Sequence, residues 1–198
     1  MFESDLVERF SRIHPSTPFV AWVPVIVIVL VRCYGRHDLD APAIAGFVVL
    51  GAFAWTFAEY MLHRYVFHWV KDTPRGRRIH FLLHGVHHDY PNDRDRLVMP
   101  LGFSGPLGVV FYAVFYFTMG RTVAEPFFAG FVLGYLGYDG THYAVHHFKL
   151  TSRVGKRIRK HHMLHHHADH SGGFGVSTPL WDLVFRTMPK HKKERAAT

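Results

Sequence analysis

The sequence predicts an all-α integral membrane protein: four transmembrane helices with a helical cap gathered on one face. Three observations lead there. Apolar stretches of spanning length alternate with polar segments, histidines recur at helical spacing within the polar segments, and Lys and Arg are divided unequally between alternate loops. A length of 198 residues suits a single domain, so one membrane domain is expected over 1–198, with 1–18 as an N-terminal segment and 189–198 as a charged tail. The mean hydropathy of +0.02 averages very apolar against very polar stretches.

The apolar elements follow in order. Phe19 to Val31 (FVAWVPVIVIVLV) is 13 residues with Pro24 inside, and it reaches spanning length only when extended through Cys33 and Tyr34. A signal-peptide core is the alternative, but the segment before it is acidic (Glu3, Asp5, Glu8) and long for that role. Ala41 to Leu62 is 22 residues with one charge, Glu59, and Val98 to Gly120 is 23 residues with none. Pro126 to Val145 is 20 residues, interrupted late by Asp139 and His142. Roughly 20 apolar residues cross a bilayer as helix, so the last three qualify by length. Asp38 to Pro42 and Gly120 to Pro126 read as short loops.

If the four stretches span in alternation, every histidine-rich segment falls on one side. Of 23 Lys and Arg, seven lie between His63 and Pro100 and eleven after His147, whereas only Arg32, Arg36 and Arg121 fall in the opposite loops. The positive-inside rule then makes the histidine face and both termini cytoplasmic. The net charge of +8 is accounted for by topology, and no nucleic-acid partner is expected. The single Cys33 excludes an intrachain disulfide and a thiolate metal site. Nothing in the sequence assigns an oligomeric state.

The histidines carry the chemistry. They occur as His63-x4-His68, His84-x2-His87-His88, His142-x3-His146, and a run of six between Lys160 and His170 that permits several registers. Neutral imidazole is the commonest metal ligand. Residues three or four apart share a helix face, so a His-x-x-His-His run presents two or three nitrogens together, with His80 one turn before His84. His63 and His68 are about 140° apart on an ideal helix, so from a straight helix they cannot both face one metal. They can flank a pair with one nitrogen each, and the plain alternative is an interfacial pair at the end of a membrane helix. Four such clusters exceed what one tetrahedral ion uses, so the arithmetic points to two metals. All-nitrogen ligation suits iron, zinc, copper or nickel. Glu59 and Asp139 stand one turn before His63 and His142, where they can orient the imidazoles. The plain alternatives are a helix-end charge and a turn residue.

The ordered set of histidine motifs over paired membrane helices resembles the fatty acid hydroxylase and sterol desaturase superfamily. HGVHHDYPNDRDRLVMP (His84–Pro100), YDGTHYAVHH (Tyr138–His147) and GFGVSTPLWD (Gly173–Asp182) look like its fatty acid 2-hydroxylase branch. The resemblance covers roughly Glu59 to Thr187. Carried over by position, it implies ten metal ligands: His63, His68, His84, His87, His88, His142, His146, His162, His165 and His166. The spacing from the last run to Gly-Phe-Gly selects those three histidines over their neighbours. The resemblance further implies two metal ions, with iron in the active form and zinc able to occupy the same nitrogens. It implies molecular oxygen as co-substrate and a lipid acyl chain from the bilayer as substrate, hydroxylated beside its carboxyl. Eukaryotic relatives often carry a haem-binding cytochrome domain ahead of this region. Here some 18 residues precede the first helix, so a separate electron-donor protein is expected.

Two departures stand out. Arg186 occupies a place where the family commonly has Gly, and His80, His147, His161, His167 and His170 are surplus. Desaturation, or hydroxylation of a sterol or carotenoid, would use the same ligand set. A non-catalytic metal protein is the competing class. Transport predicts ionisable residues along a path across the membrane, and the middles of these segments carry essentially none.

Overall fold

The computed structural model describes residue 8 and residues 12–190; the rest of the N-terminal segment and residues 191–198 of the expected tail lie outside the described residues. Among the described residues the chain is all helical, without strands. In order, α1 is Thr17–Arg36, α2 Ala41–Leu62, α3 Pro74–His80, α4 Val86–Asp89, α5 Leu101–Met119, α6 Arg121–His147, α7 Arg153–His167 and α8 Leu180–Val184. Two π turns, His63–Phe67 and Phe81–Gly85, continue α2 and join α3 to α4.

The chain divides into two compact units, one of residues 13–55 and 98–139, the other of residues 56–97 and 140–190 with the described part of 1–12. In the first, α1 extends both ways beyond the 13-residue apolar core: Pro18 lies in the first turn, where a missing N–H costs nothing, and His37 ends the helix at φ 57°. The Asp40 side chain accepts from the Ala43 N–H at 2.8 Å and opens α2.

Three helices are long and apolar enough to cross a membrane: Thr17–Arg36, Ala41–Phe67 and Leu101–Met119. Their outward apolar side chains, such as Val49 at 67% and Phe117 at 84% exposed, need lipid rather than water. The fourth expected span lies in α6, a helix of 27 residues that does not qualify on apolarity. Phe128, Phe131, Val132, Tyr135 and Leu136 of α6 are buried among protein, so this helix has little need of a lipid-facing apolar surface.

The loop expected over Gly120–Pro126 is corrected. Gly120 alone, at φ 73°, separates α5 from α6, and Pro126 lies inside the helix. One residue of positive φ breaks the hydrogen-bond ladder, and glycine takes that conformation at no steric cost. Because α6 starts this early, Glu125 is a buried helical residue. It gathers Arg36, Arg32 at 3.3 Å, Arg121 at 3.3 Å and the Cys33 thiol at 3.7 Å. The three basic residues left over by the orientation argument thus share one carboxylate.

Close packing in this unit depends on absent side chains. A Cβ at Gly51 would stand 2.0 Å from the Phe127 carbonyl oxygen, and one at Gly130 would stand 2.0 Å from that of Val48. At Gly134 it would meet Trp55 Cβ at 2.6 Å. Gly130-x3-Gly134 is a small-xxx-small stripe along which α2 lies against α6, the usual solution where burial against lipid gives no driving force.

In the second unit, Thr73 and Ser152 cap α3 and α7, each side chain accepting from an N–H three residues on, at 3.1 and 3.0 Å. Arg186 has φ 56°, in the left-handed region that costs a non-glycine residue about 1–2 kcal/mol. The family's glycine is therefore the residue this backbone requires. Arg186→Gly should raise stability by up to about 1 kcal/mol, after the glycine's greater unfolded entropy is set against the relieved strain. Thermal melts in detergent check this, and bound metal should not change.

Candidate metal centre

The four histidine segments converge within the second unit. Their nitrogens form two groups, one of His63, His68, His84, His88 and His165 and the other of His87, His142, His146, His162 and His166. Within each group all five candidate ligand atoms lie within 4.8 Å of one another. Every histidine nominated from the sequence is in one group or the other, and none of the five surplus histidines is.

Of the two or three nitrogens that a His-x-x-His-His run was expected to present together, two share a group and the third goes to the other. His84 and His88 join the first group while His87 joins the second; His162 and His166 join the second while His165 joins the first. Adjacent residues on a helix point about 100° apart, so a His-His pair faces two sides, whereas i and i+4 differ by only about 40°. Each run therefore contributes two nitrogens to one group and one to the other, crosswise.

His63 and His68 differ from the straight-helix expectation, since both belong to the first group, with their Nε2 atoms 3.2 Å apart. The cause is the π turn. The His68 N–H bonds to the His63 carbonyl at 3.2 Å, an i to i+5 link that widens the turn. With more residues per turn, positions five apart come onto one face. A second such turn over Phe81–Gly85 precedes the His87-His88 pair.

Backbone carbonyls orient part of the first group. His63 Nδ1 donates to the Phe174 carbonyl at 2.6 Å, and His165 Nδ1 donates to that of Gly172 at 2.7 Å. A carbonyl oxygen only accepts, so both protons sit on Nδ1 and both Nε2 lone pairs face the group. His68 Nε2 lies 3.0 Å from His165 Nε2, and His84 Nε2 lies 3.0 Å from His63 Nε2 and 2.9 Å from His88 Nε2. In the second group, His142–His87 and His146–His162 approach Nε2 to Nε2 at 2.9 Å each. A pair at this distance can share one N–H···N hydrogen bond, but five nitrogens gathered so closely leave lone pairs facing one another that a cation would satisfy. These spacings resemble the ligand–ligand edges around an ion with bonds of about 2.1 Å, about 3.0–3.4 Å for six to four ligands. The residues present fit a metal in each group.

Electrostatics agrees. Burial, helped by neighbouring imidazoles, pushes His84, His87 and His162 well below the usual histidine range, His68 to about 3 and His165 to about 4. All are neutral near pH 7, the form that ligates. The sign for stability follows. The unfolded chain takes up protons near pH 6.5 while the folded rings do not, so stability is complete above about 6.5 and falls as the pH drops toward 4 and 3. Melts of metal-stripped protein should show a midpoint that is flat above about pH 7 and declines on the acid side.

The two carboxylates nominated from the sequence, Glu59 and Asp139, are both buried. Glu59 accepts from the N–H groups of Val176 at 2.6 Å and Ser177 at 2.8 Å, and from the Ser177 hydroxyl. Its link to the imidazoles runs through the loop of residues 172–177. Asp139, buried on α6, belongs to the other unit. The residue missed is Asp182. Fully buried, it accepts from the N–H groups of Phe174 at 3.0 Å and Gly175 at 2.8 Å, from the Thr187 hydroxyl at 2.8 Å, and from His161 Nε2 at 3.0 Å. Burial alone would raise its pKa, but bonds from His161, Gly175 and Thr187 outweigh it and hold the carboxyl below the usual range. The GFGVSTPLWD motif contains Asp182, so the signal was present. A cavity of about 650 Å³, lined in part by His68, His88, His80, Arg77 and His170, opens onto the first group.

Residues 48–187 match the family model described as fatty acid hydroxylase. The chain belongs to the fatty acid hydroxylase family. A dihydroceramide fatty acyl 2-hydroxylase of Arabidopsis thaliana is 40% identical over 194 residues, covering 98% of this chain and 81% of that protein. The fatty acid 2-hydroxylase of Rattus norvegicus is 33% identical over 211 residues, covering 95% of this chain and 56% of that one. The solved structure of full-length Scs7p, in which only the hydroxylase domain is visible, superposes with a TM-score of 0.88 at 34% identity, covering 95% of this chain and 71% of that one. The resemblance of the motifs to fatty acid hydroxylases is thus met in sequence and in fold, and this member of the family is an enzyme of the oxidoreductase class.

Proposed function

We propose that the chain is a membrane-embedded di-iron oxygenase that hydroxylates a fatty acyl chain at the carbon next to its carboxyl. The observation that carries this reading is the pair of five-imidazole groups in a chain of the fatty acid hydroxylase family. Residues 1–198 act as one membrane domain. Four helices cross the bilayer, α6 among them, and the termini and metal centre lie on the cytoplasmic side, where 20 of the 23 Lys and Arg fall: the seven and eleven counted above with Arg9 and Arg12. The acyl substrate enters from the bilayer, and the relatives named for dihydroceramide point to acyl chains in amide linkage.

Two iron ions held by these ten histidines would supply the redox chemistry for hydroxylation of the C–H bond by oxygen. Overall, RCH2R′ + O2 + 2 electrons + 2 protons give RCH(OH)R′ + H2O, and the electrons come from a separate donor protein. The chain's own residues do the rest. Ten imidazoles, neutral at working pH, hold the ions without bringing protons of their own. The Phe174 and Gly172 carbonyls keep the Nε2 atoms of His63 and His165 turned inward. Burial of His63, His84, His87, His162 and His165 keeps bulk water from competing for the site. The cavity beside His68 and His88 leaves a way in for small molecules.

The test is to load purified protein with iron, supply a reductant system and oxygen, and analyse extracted lipids by mass spectrometry. The expected product is heavier by one oxygen, placed on the carbon beside the carboxyl. A product lighter by two hydrogens would mean desaturation instead, and no product from the iron-loaded protein with a competent donor would sink the reading.

A further inference from the structure

The two imidazole groups differ in what stands behind them. In the first, two Nδ1–H groups end on carbonyls of one loop, Gly172 and Phe174. That loop is itself pinned from both sides. Asp182 takes the N–H groups of Phe174 and Gly175, and Glu59 takes those of Val176 and Ser177, so four consecutive amides end on two buried carboxylates. Asp182 is further braced by His161 and Thr187, and the Thr187 carbonyl accepts from the Gly173 N–H at 2.8 Å. The buried Nδ1 of His88, also in the first group, has no partner among the described residues, and in the second group the same holds for His87, His162 and His166, so the carbonyl backing falls on His63 and His165 alone. A ring fixed in tautomer and angle by a bonded Nδ1–H is a more basic and better-aimed ligand, and loss of such a bond typically lowers metal affinity 10–100-fold.

We infer that the loop of residues 172–177, clamped by Asp182 and Glu59, makes the two halves of the centre unequal. The group of His63, His68, His84, His88 and His165 is the tight site that fills first, and the group of His87, His142, His146, His162 and His166 is the exchangeable one. Asp182 and Glu59 act as positioning residues for the first site alone. The inference rests on the reading that the imidazoles hold two metals. Repulsion between two dications would separate the binding steps even at identical sites, so the order of filling decides the matter rather than the existence of two steps.

The experiment uses the full chain in detergent, loaded with zinc, partly stripped with a chelator, and crystallised for anomalous scattering at the zinc edge. Zinc remaining at the His63 group while the His87 group empties is the expected result. Equal loss, or retention at the His87 group, overturns the inference. Absence of zinc from both groups before stripping would instead bring down the two-metal reading beneath it. In solution, Asp182→Asn should bring the two release steps closer by about 10–100-fold, with the looser step unmoved. Glu59→Gln gives the same comparison should the first variant fail to fold. A merely structural role would move both steps together.

Discussion

His165→Ala should remove one metal ion per chain and with it nearly all hydroxylation. A four-ligand zinc site is worth about 10–16 kcal/mol, so one ligand contributes about 2.5–4 kcal/mol, roughly 70- to 900-fold in affinity. The loss goes beyond one nitrogen. His165 Nε2 lies 3.0 Å from His68 Nε2, and its Nδ1–H occupies the Gly172 carbonyl, so a buried acceptor is also left open. His167→Ala is the matched control: two residues along the same helix, its ring is exposed and belongs to neither group. Metal analysis of both variants beside lipid mass spectrometry makes the check. A His165→Ala protein that keeps two ions and full product would remove the first group from the centre.

Gly130→Ala should cost about 3 kcal/mol or more, the upper end for overpacking, and Gly130→Val should prevent folding. The new methyl would stand 2.0 Å from the Val48 carbonyl oxygen and 2.6 Å from its carbonyl carbon, far inside any permitted contact. Both are backbone atoms of α2, so no side chain can turn away. The helices must separate, and the opposed contact of Gly51 with the Phe127 carbonyl opens with them. Gly137→Ala, on the same helix with nothing within 4 Å, should be neutral or stabilising by about 1 kcal/mol through helix propensity. Melting temperatures of the two alanine variants in one detergent decide it, and equal values would mean that the stripe does not hold α2 to α6.

Much of this was legible in the chain, and what was not has physical causes. The ten histidines could be nominated because helical spacing and motif identity both survive in a string of letters. Their crosswise sharing between groups follows from the angle between neighbours, but only once both metals are considered together. The π turn at His63–Phe67 was illegible, since its mark is a shifted backbone hydrogen bond that no side chain records. Asp182 escaped for the same reason: two of its partners are backbone amides, and amides carry no residue identity. Glu125 was hidden by the misreading of Gly120–Pro126 as a loop, which detached it from Arg32 and Arg36, almost ninety positions away or more. Arg186 was the reverse case: the departure from the family's glycine was visible in the sequence, but only the structure shows that the backbone keeps the left-handed conformation a glycine would take.

A π turn is an ordinary helix carrying one surplus residue. Deleting any one of Arg64, Tyr65 or Val66 would let regular winding resume with the two histidines four positions apart, about 40° around the helix and still on one face. A family member with only three residues between its first two histidines would therefore keep both nitrogens in the same group by giving up the π turn.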